Sequence, residues 1–439
     1  MSSDTYHKAR VCAVAAAMFL AATGAMALEG EVDMSWLDEA VVAPHAGMGG
    51  SALQTDTGIA MLQGALSHSA TLADGLSLSG SVWALADSLP SYNPQVLPAN
   101  VLDFSSRVLE LDLKWEAQPG ALVFEAGKKI IHPSSTFFKA PLDIMTPPSP
   151  AISNTSKQSA AAVGKWEEGL VGAGVTWLTG PFSFYDYVSP RFVWSDQERD
   201  TALCFTGAQE RFQNFAKIGA RVGETDIQLL GLYTSSLSGD ASDDRYAAGV
   251  GIDSALGDSI TVRAEASAFD TTDRLVASGS GSSGYTSSTE SVSWAPRGVL
   301  GATWSNADEL SVMVEYYYNA LGQIGSAYTT LIDYSAARAA GSLALSTCPD
   351  ILEQYGDFES AMHYGFFRLA GKLDQDVHAE SWFEINLQDA SALYGMDINY
   401  VRPTWSIGAS LLGSWGGRDT EAALLFPIWR AGIEADLFF

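Results

Sequence analysis

Between residues 108 and 116 every second side chain is apolar. Leu109, Leu111, Leu113 and Trp115 alternate with Glu110, Asp112, Lys114 and Glu116. A pleated strand sends successive side chains to opposite faces, so a strand over Val108–Glu116 has one oily face and one ionic face. The same period returns along the chain. Val262, Ala264, Ala266 and Ala268 oppose Arg263 and Glu265; Leu310, Val312, Val314, Tyr316 and Tyr318 oppose Glu315; Phe383, Ile385 and Leu387 oppose His378, Glu380 and Glu384. Turn-forming stretches join such segments in pairs, among them Leu72–Gly75, Gln118-Pro119-Gly120, Gly180-Pro181, Gly257-Asp258 and Asn306–Glu309. Longer polar stretches separate the pairs. The pattern predicts an all-β chain of about 18 antiparallel strands, with about 16 as the alternative count.

Composition narrows what such a chain can be. Its hydrophobic share of 47% excludes a disordered polymer. The formal net charge of −27 argues against a nucleic-acid partner, which requires a basic footprint. No apolar run in residues 28–439 approaches the length of a helical membrane span. At the N-terminus His7, Lys8 and Arg10 precede an apolar run, Val11–Leu20, and the small-residue site Ala25-Met26-Ala27. Residues 1–27 are therefore expected to be a cleavable signal peptide, with Leu28 opening the mature chain. Cys12 leaves with that segment. Cys204 and Cys348 are predicted to lie in long external loops, where they either pair as a disulfide or remain separate thiols.

The last ten residues carry the alternation to Phe439. Ala431, Ile433, Ala435, Leu437 and Phe439 share one face; Arg430, Gly432, Glu434 and Asp436 share the other. A terminal aromatic on an alternating strand, behind an export signal, resembles the C-terminal strand of Gram-negative outer-membrane β-barrels. There the pattern marks the chain for insertion, a role that falls here on Phe439, Leu437 and Ile433. The resemblance implies a closed antiparallel transmembrane β-barrel over residues 28–439, in the outer membrane of a Gram-negative-type bacterium. It also implies barrel-insertion machinery and lipid as partners. In such a barrel oily faces meet lipid and ionic faces line a wet lumen. Aromatics near strand ends, Trp177, Tyr316–Tyr318, Trp382, Tyr400, Trp405 and Trp415, look like interfacial girdles.

The stretch His132–Lys157 breaks the alternation and contains Pro133, Pro141, Pro147, Pro148 and Pro150. It is the third external loop in this ordering. The run Gly127-Lys128-Lys129, Phe138, Pro141-Leu142-Asp143 resembles a strand-to-loop segment of porin-like families, in which that loop folds inward. Constriction of the pore is therefore assigned to His132, Ser134, Ser135, Thr136, Phe137, Phe138, Lys139 and Asp143, the two phenylalanines serving as apolar anchors. Strand parity places Lys114, Lys129, Lys217, Arg221, Arg263, Arg297, Arg368, Lys372 and Arg430 in the lumen. It also places Glu110, Asp112, Glu116, Glu125, Asp253, Glu265, Glu315, Glu380, Glu384, Asp397, Glu434 and Asp436 there. Acids lead, which points to a mild cation preference. The acidic runs Asp196–Asp200, Asp240–Asp244 and Asp350–Glu359 are placed in external loops; they suit solvation, or loose binding of Ca²⁺ or Mg²⁺.

No catalytic constellation accompanies the pattern. Gly-x-Ser-x-Gly is absent, and His363 and His378, on neighbouring strands, lack a nucleophile. The expectation is a non-enzymatic porin-like channel for small hydrophilic solutes, without a cofactor and with a homotrimer as one form. The rivals are a substrate-specific or hydrophobic-compound transporter, with Phe137 and Phe138 guiding an oily ligand, and a surface adhesin or structural barrel.

Overall fold

The computed structural model describes residues 29–42, 53–90, 100–142, 144, 170–192, 209–236, 244–280, 284–339, 360–417, 420–425 and 429–438. The signal segment, Asp143, Cys204, Cys348 and Phe439 lie outside these residues, as do the acidic loop runs apart from Asp244.

Twenty strands are described. They open with β1 (Glu29–Val42), β2 (Leu53–Ala73), β3 (Leu76–Pro90), β4 (Asn100–Gln118) and β5 (Leu122–Lys129). After the long connection come β6 (Leu170–Thr179), β7 (Phe182–Phe192), β8 (Gln209–Val222), β9 (Thr225–Ser236), β10 (Arg245–Leu256) and β11 (Ile260–Phe269). A separate hairpin, β12 (Thr272–Ser280) and β13 (Gly284–Val292), precedes β14 (Ala295–Ser305) and β15 (Ser311–Asn319). The helix α1 (Gly325–Ala339) then leads to β16 (His363–Asp374), β17 (Val377–Asn386), β18 (Ala392–Arg402) and β19 (Trp405–Trp415). The short helix α2 (Glu421–Leu425) precedes β20 (Trp429–Phe438).

Each strand outside that hairpin pairs antiparallel with its sequence neighbour, β11 passing directly to β14, in one 18-stranded sheet. β1 pairs with β2 along one edge and with β20 along the other. Tight turns hold the pairs. At the β2–β3 turn Gly75 has φ +72°, and a Cβ there would stand 2.8 Å from the Glu116 carbonyl oxygen. That oxygen's residue donates its own N–H to Gly75 O at 2.6 Å, so the turn needs glycine twice over.

The sheet buries its polar face. Glu125, Glu265, Glu315, Glu384 and Asp397 are buried, whereas Leu300, Val314 and Ile433 are 64%, 54% and 58% exposed. Water-soluble folds do the opposite with both kinds of residue. On β15 Met313, Glu315, Tyr317 and Asn319 face inward, with Val314 and Tyr316 outward between them. The inner side is filled unevenly. One apolar cluster joins Tyr317, Tyr364, Phe366 and Trp382 of the wall to Tyr328 and Ile332 of α1 and Ala422 of α2, and Phe137 and Phe138 pack against it.

Two expectations change here. Trp382 is not a girdle residue: it lies on the inward face with Glu380 and Glu384, packed beside Phe138 and Phe366. Tyr317 is likewise inward and buried, between outward Tyr316 and Tyr318. The separate hairpin β12–β13 packs its Leu275 and Ala277 on Leu331 and Tyr334 of α1. Aromatic pairs lie at turn ends of the outer face, with Trp115 on Phe124, Trp177 on Phe184 and Tyr400 against Trp405.

Candidate functional site: an inward loop on a ladder of carboxylates

The chain leaves β5 and crosses to the far inner wall. Ile130 N–H donates to Glu110 Oε1 at 3.0 Å, which fixes the exit. Gln228 of β9 then donates to Pro133 O at 2.8 Å. At Glu265 of β11 the Ser134 hydroxyl and the Ser135 N–H both donate to the carboxylate, joined by Ser135 Oγ at 2.9 Å; Thr136 Oγ1 lies 3.2 Å away. One strand pair further on, Glu315 of β15 accepts the N–H groups of Phe137 at 3.0 Å and Phe138 at 3.1 Å, one on each oxygen. Arg263 ties the two rungs, donating to Ser135 O at 2.9 Å and lying 3.9 Å from Glu315.

Apolar contacts complete the seat. The Phe138 ring stacks on Phe366 at 4.5 Å, and the Arg368 guanidinium lies 4.3 Å over Phe137. Lys139 reaches Glu384 of β17 at 3.8 Å. Leu142 is fully buried against β10, where Gly249 and Gly251 leave the space it occupies. A Cβ on either glycine would approach Leu142 to within 2.8 Å. A Pro-containing segment with no ladder of its own is thus held by side-chain carboxylates that accept its backbone N–H groups.

Ser134, Ser135, Thr136, Phe137, Phe138 and Lys139 are therefore brought together with Arg263, Glu265, Glu315, Arg368 and Glu384. His132 is exposed at the loop's start. Glu380 binds Arg368 at 2.6 Å. Across the sheet, Lys129 pairs with Glu125, which also accepts the Tyr185 hydroxyl at 2.6 Å, and Lys114 pairs with Glu116 at 3.1 Å. Lys217 stands opposite Tyr185 on β8. Asp112 shares the inner face with Glu110 and Lys114, alternating with exposed Leu111 and Leu113. Arg297 covers Phe269 at 6.0 Å. Arg221 (4.0 Å from Asp226) and Lys372 (2.6 Å from Glu309) lie at turn ends, away from the loop. His363 bonds outward-facing Tyr316 at 2.7 Å while His378 shares the Glu380 face, so the two histidines occupy opposite sides of the sheet. Among the described residues no group of three or more His, Cys, Asp or Glu is placed to hold a metal ion.

Sequence reading missed a second inward element. In α2, Glu421 is buried and accepts Ser360 N–H at 2.7 Å, the Ser360 hydroxyl, Tyr364 OH at 2.9 Å and Asn386 Nδ2 at 2.7 Å. Asp389 receives the Tyr328 hydroxyl at 2.6 Å and the Glu421 N–H at 3.0 Å. Burial pushes the Glu421 carboxyl up to about 7, against the pull of its Ser360 and Tyr364 donors. Burial beside Glu421 likewise raises the Tyr328 phenol. Its donors lie 35 to 61 residues away in sequence, so no local pattern announces the network.

No family model matches the chain, and no curated protein matches it. Solved structures do. OccAB3 of Acinetobacter baumannii is 11% identical at a TM-score of 0.48, the match covering 94% of this chain and 99% of that one. OmpF of Salmonella typhi, in complex with daunomycin, is 10% identical at a TM-score of 0.46, covering 94% and 97%. A mutant of the Rh. blastica porin is 10% identical at a TM-score of 0.42, covering 94% and 99%.

Proposed function

We propose that residues 28–439 close into an 18-stranded outer-membrane barrel, a passive channel for small hydrophilic solutes, with residues 1–27 as the export signal. The sheet's inverted faces support the membrane setting. Isoleucines and leucines are exposed on one side and carboxylates are buried on the other, an order that lipid outside and water inside would stabilise. The pairing of β1 with β20 supports closure. Exposed Ile433 on the last strand agrees with the insertion signal assigned to Ile433, Leu437 and Phe439, and hence with the insertion machinery as a partner.

The docked segment 130–142 carries the functional reading. It lies on the inward side of β9, β10, β11, β15, β16 and β17, so it occupies bore that would otherwise be open. Passage then runs beside the loop, past Lys114, Lys129, Lys217 and the wall acids. Solutes move down their gradient, and radius and wall charge set selectivity. No catalytic step and no cofactor enter this reading. Phe137 and Phe138 are spent on Phe366 and Trp382, so they do not offer an oily ligand surface.

A polar pair on the outer face supports self-association. Asp186 and Asn214 bond at 2.9 Å on the side of β7 and β8 that carries Phe184 and exposed Ile218. A carboxylate facing hydrocarbon is unfavourable, and a neighbouring copy would cover it, as in a homotrimer.

Single-channel recording in planar bilayers tests the channel reading. The intact protein is expected to give ohmic steps, and deletion of Ser134–Asp143 to enlarge them. Silence from folded, inserted protein would refute the channel; unchanged step size after deletion would refute the constriction.

A further inference from the structure

We propose that the outer face of β15 and β16 holds one phosphate-bearing lipid, its phosphate on His363 and an acyl chain laid across Gly365. This inference rests on the membrane reading above. His363 opens β16, at the end away from the tight β16–β17 turn, which in the barrel is the external rim. It pairs across the sheet with Tyr318, and its ring packs on Tyr318 at 5.6 Å and on Tyr316 at 6.1 Å. The Tyr316 hydroxyl lies 2.7 Å from His363 Nδ1. With the phenol as donor, Nδ1 accepts and the ring proton sits on Nε2. Nε2 has no hydrogen-bond partner among the described residues, and the pair lies on the exposed side of the sheet. Two tyrosines thus fix an imidazole whose second nitrogen is left to donate at headgroup depth.

Next to the histidine the face is notched. Gly365 is the following outward residue on β16, about 7 Å along the strand. A Cβ there would meet only Leu387 among the described residues, at 3.8 Å. Tyr316 flanks the glycine on β15 and Ile385 on β17, both exposed, and exposed Phe367 follows it on β16. The result is a shallow apolar groove that leads away from His363 into the lipid-facing surface. Leu387 N–H donates to His363 O at 3.0 Å, which ties the groove's side to the histidine. Glu315 and Glu384, the acids nearest in register, are buried on the opposite face, so neither competes for the Nε2 proton. A phosphate brings strong acceptors to an N–H that can also carry positive charge. The groove beside it suits the chain of the same molecule.

Dioleoylphosphatidic acid is a suitable probe. Dioleoylglycerol offers the same chains without phosphate, and inorganic phosphate the anion without chains. Native mass spectrometry of the full detergent-solubilised chain should show one saturable phosphatidic acid adduct, and neither comparison compound should bind at the same concentration. His363→Phe keeps the ring stack, removes the N–H, and should weaken retention about tenfold or more, the loss of one charge-assisted contact. Gly365→Leu fills the groove and should weaken it to a similar degree. His378→Phe, on the inward face of β17, should change it by less than about twofold. Equal affinity in wild type and His363→Phe overturns the site, and so does an equal loss in His378→Phe. Unchanged affinity in Gly365→Leu overturns the groove. Dioleoylglycerol bound as tightly as phosphatidic acid, or inorganic phosphate bound alone, overturns recognition of a phosphate lipid. Flotation of the same preparations with liposomes separates the two readings. A chain that fails to float removes the membrane reading and the site with it. A chain that floats without His363-dependent retention removes the site alone.

Discussion

Glu315→Ala removes one rung of the ladder that seats the inward loop. Its carboxylate is 2% exposed and accepts the N–H groups of Phe137 and Phe138, one on each oxygen. Hydrogen bonds to a charged group contribute about 1.5–3 kcal/mol each. Losing both shifts the docked state by about 3 kcal/mol at the low end, a factor of roughly 150 in the docking equilibrium. The Glu265 contacts of Ser134 and Ser135 survive, so release is confined to the segment from Phe137 onward. In planar bilayers the variant should show larger mean conductance with open-state flicker. Glu315→Gln should fall between, because one carbonyl oxygen remains to accept while the amide group opposes the second N–H. Flicker and step size identical to wild type, in a variant that folds and inserts, would refute the clamp.

Other perturbations probe separate contacts. Leu142→Ala empties the seat between Gly249 and Gly251 and should cost the docked loop about 2–4 kcal/mol; unaltered proteolytic protection of residues 130–142 would contradict it. Because burial raises Glu421 to about 7, docked α2 binds the proton more tightly than a free loop does. Its docking is then favoured by about 3 kcal/mol below about pH 4.5, an advantage lost as pH rises through about 7. Amide exchange at residues 421–425 should therefore quicken from pH 5 to pH 8 beyond the intrinsic rate, and Glu421→Gln should flatten the response. A flat wild-type profile counts against the buried acid. Asp186→Leu should shift any native oligomer toward smaller species on sizing in mild detergent; retention of the oligomer would clear Asp186 of that role.

Much of the fold was legible because a sheet with one apolar and one polar face repeats one simple rule. Val108–Glu116 lies inside β4, and the alternating positions 262–268 and 378–385 fall inside β11 and β17. Parity also placed Glu265, Glu315, Glu380 and Glu384 inward. Trp382 was misplaced when residue type was weighed above that same parity, since its alternation with Glu380 and Glu384 already puts it inside. α1 was missed although Tyr328, Leu331, Ile332 and Ser335 recur at helical spacing and are buried. The intervening Thr329 and Thr330 disfavour a helix; here their hydroxyls bond back to Gly325 and Ser326 carbonyls. β12–β13 is Ser- and Gly-rich, and tertiary packing on α1 holds it. The loop's partners lie about 130 and 180 residues downstream, and no local pattern could pair Ser135 with Glu265 or Phe137 with Glu315.

Adjacent positions on β8 offer the most direct measurement. With Cys204 and Cys348 replaced by serine, Lys217→Cys and Ile218→Cys place thiols on opposite faces of one strand. In reconstituted vesicles a charged, membrane-impermeant thiol reagent should modify Lys217→Cys rapidly and leave Ile218→Cys intact. A fluorophore at Ile218→Cys should in turn be quenched by nitroxide-labelled lipid. Reagent reaction at Ile218→Cys, with lipid quenching at Lys217→Cys, would contradict the orientation on which the channel depends.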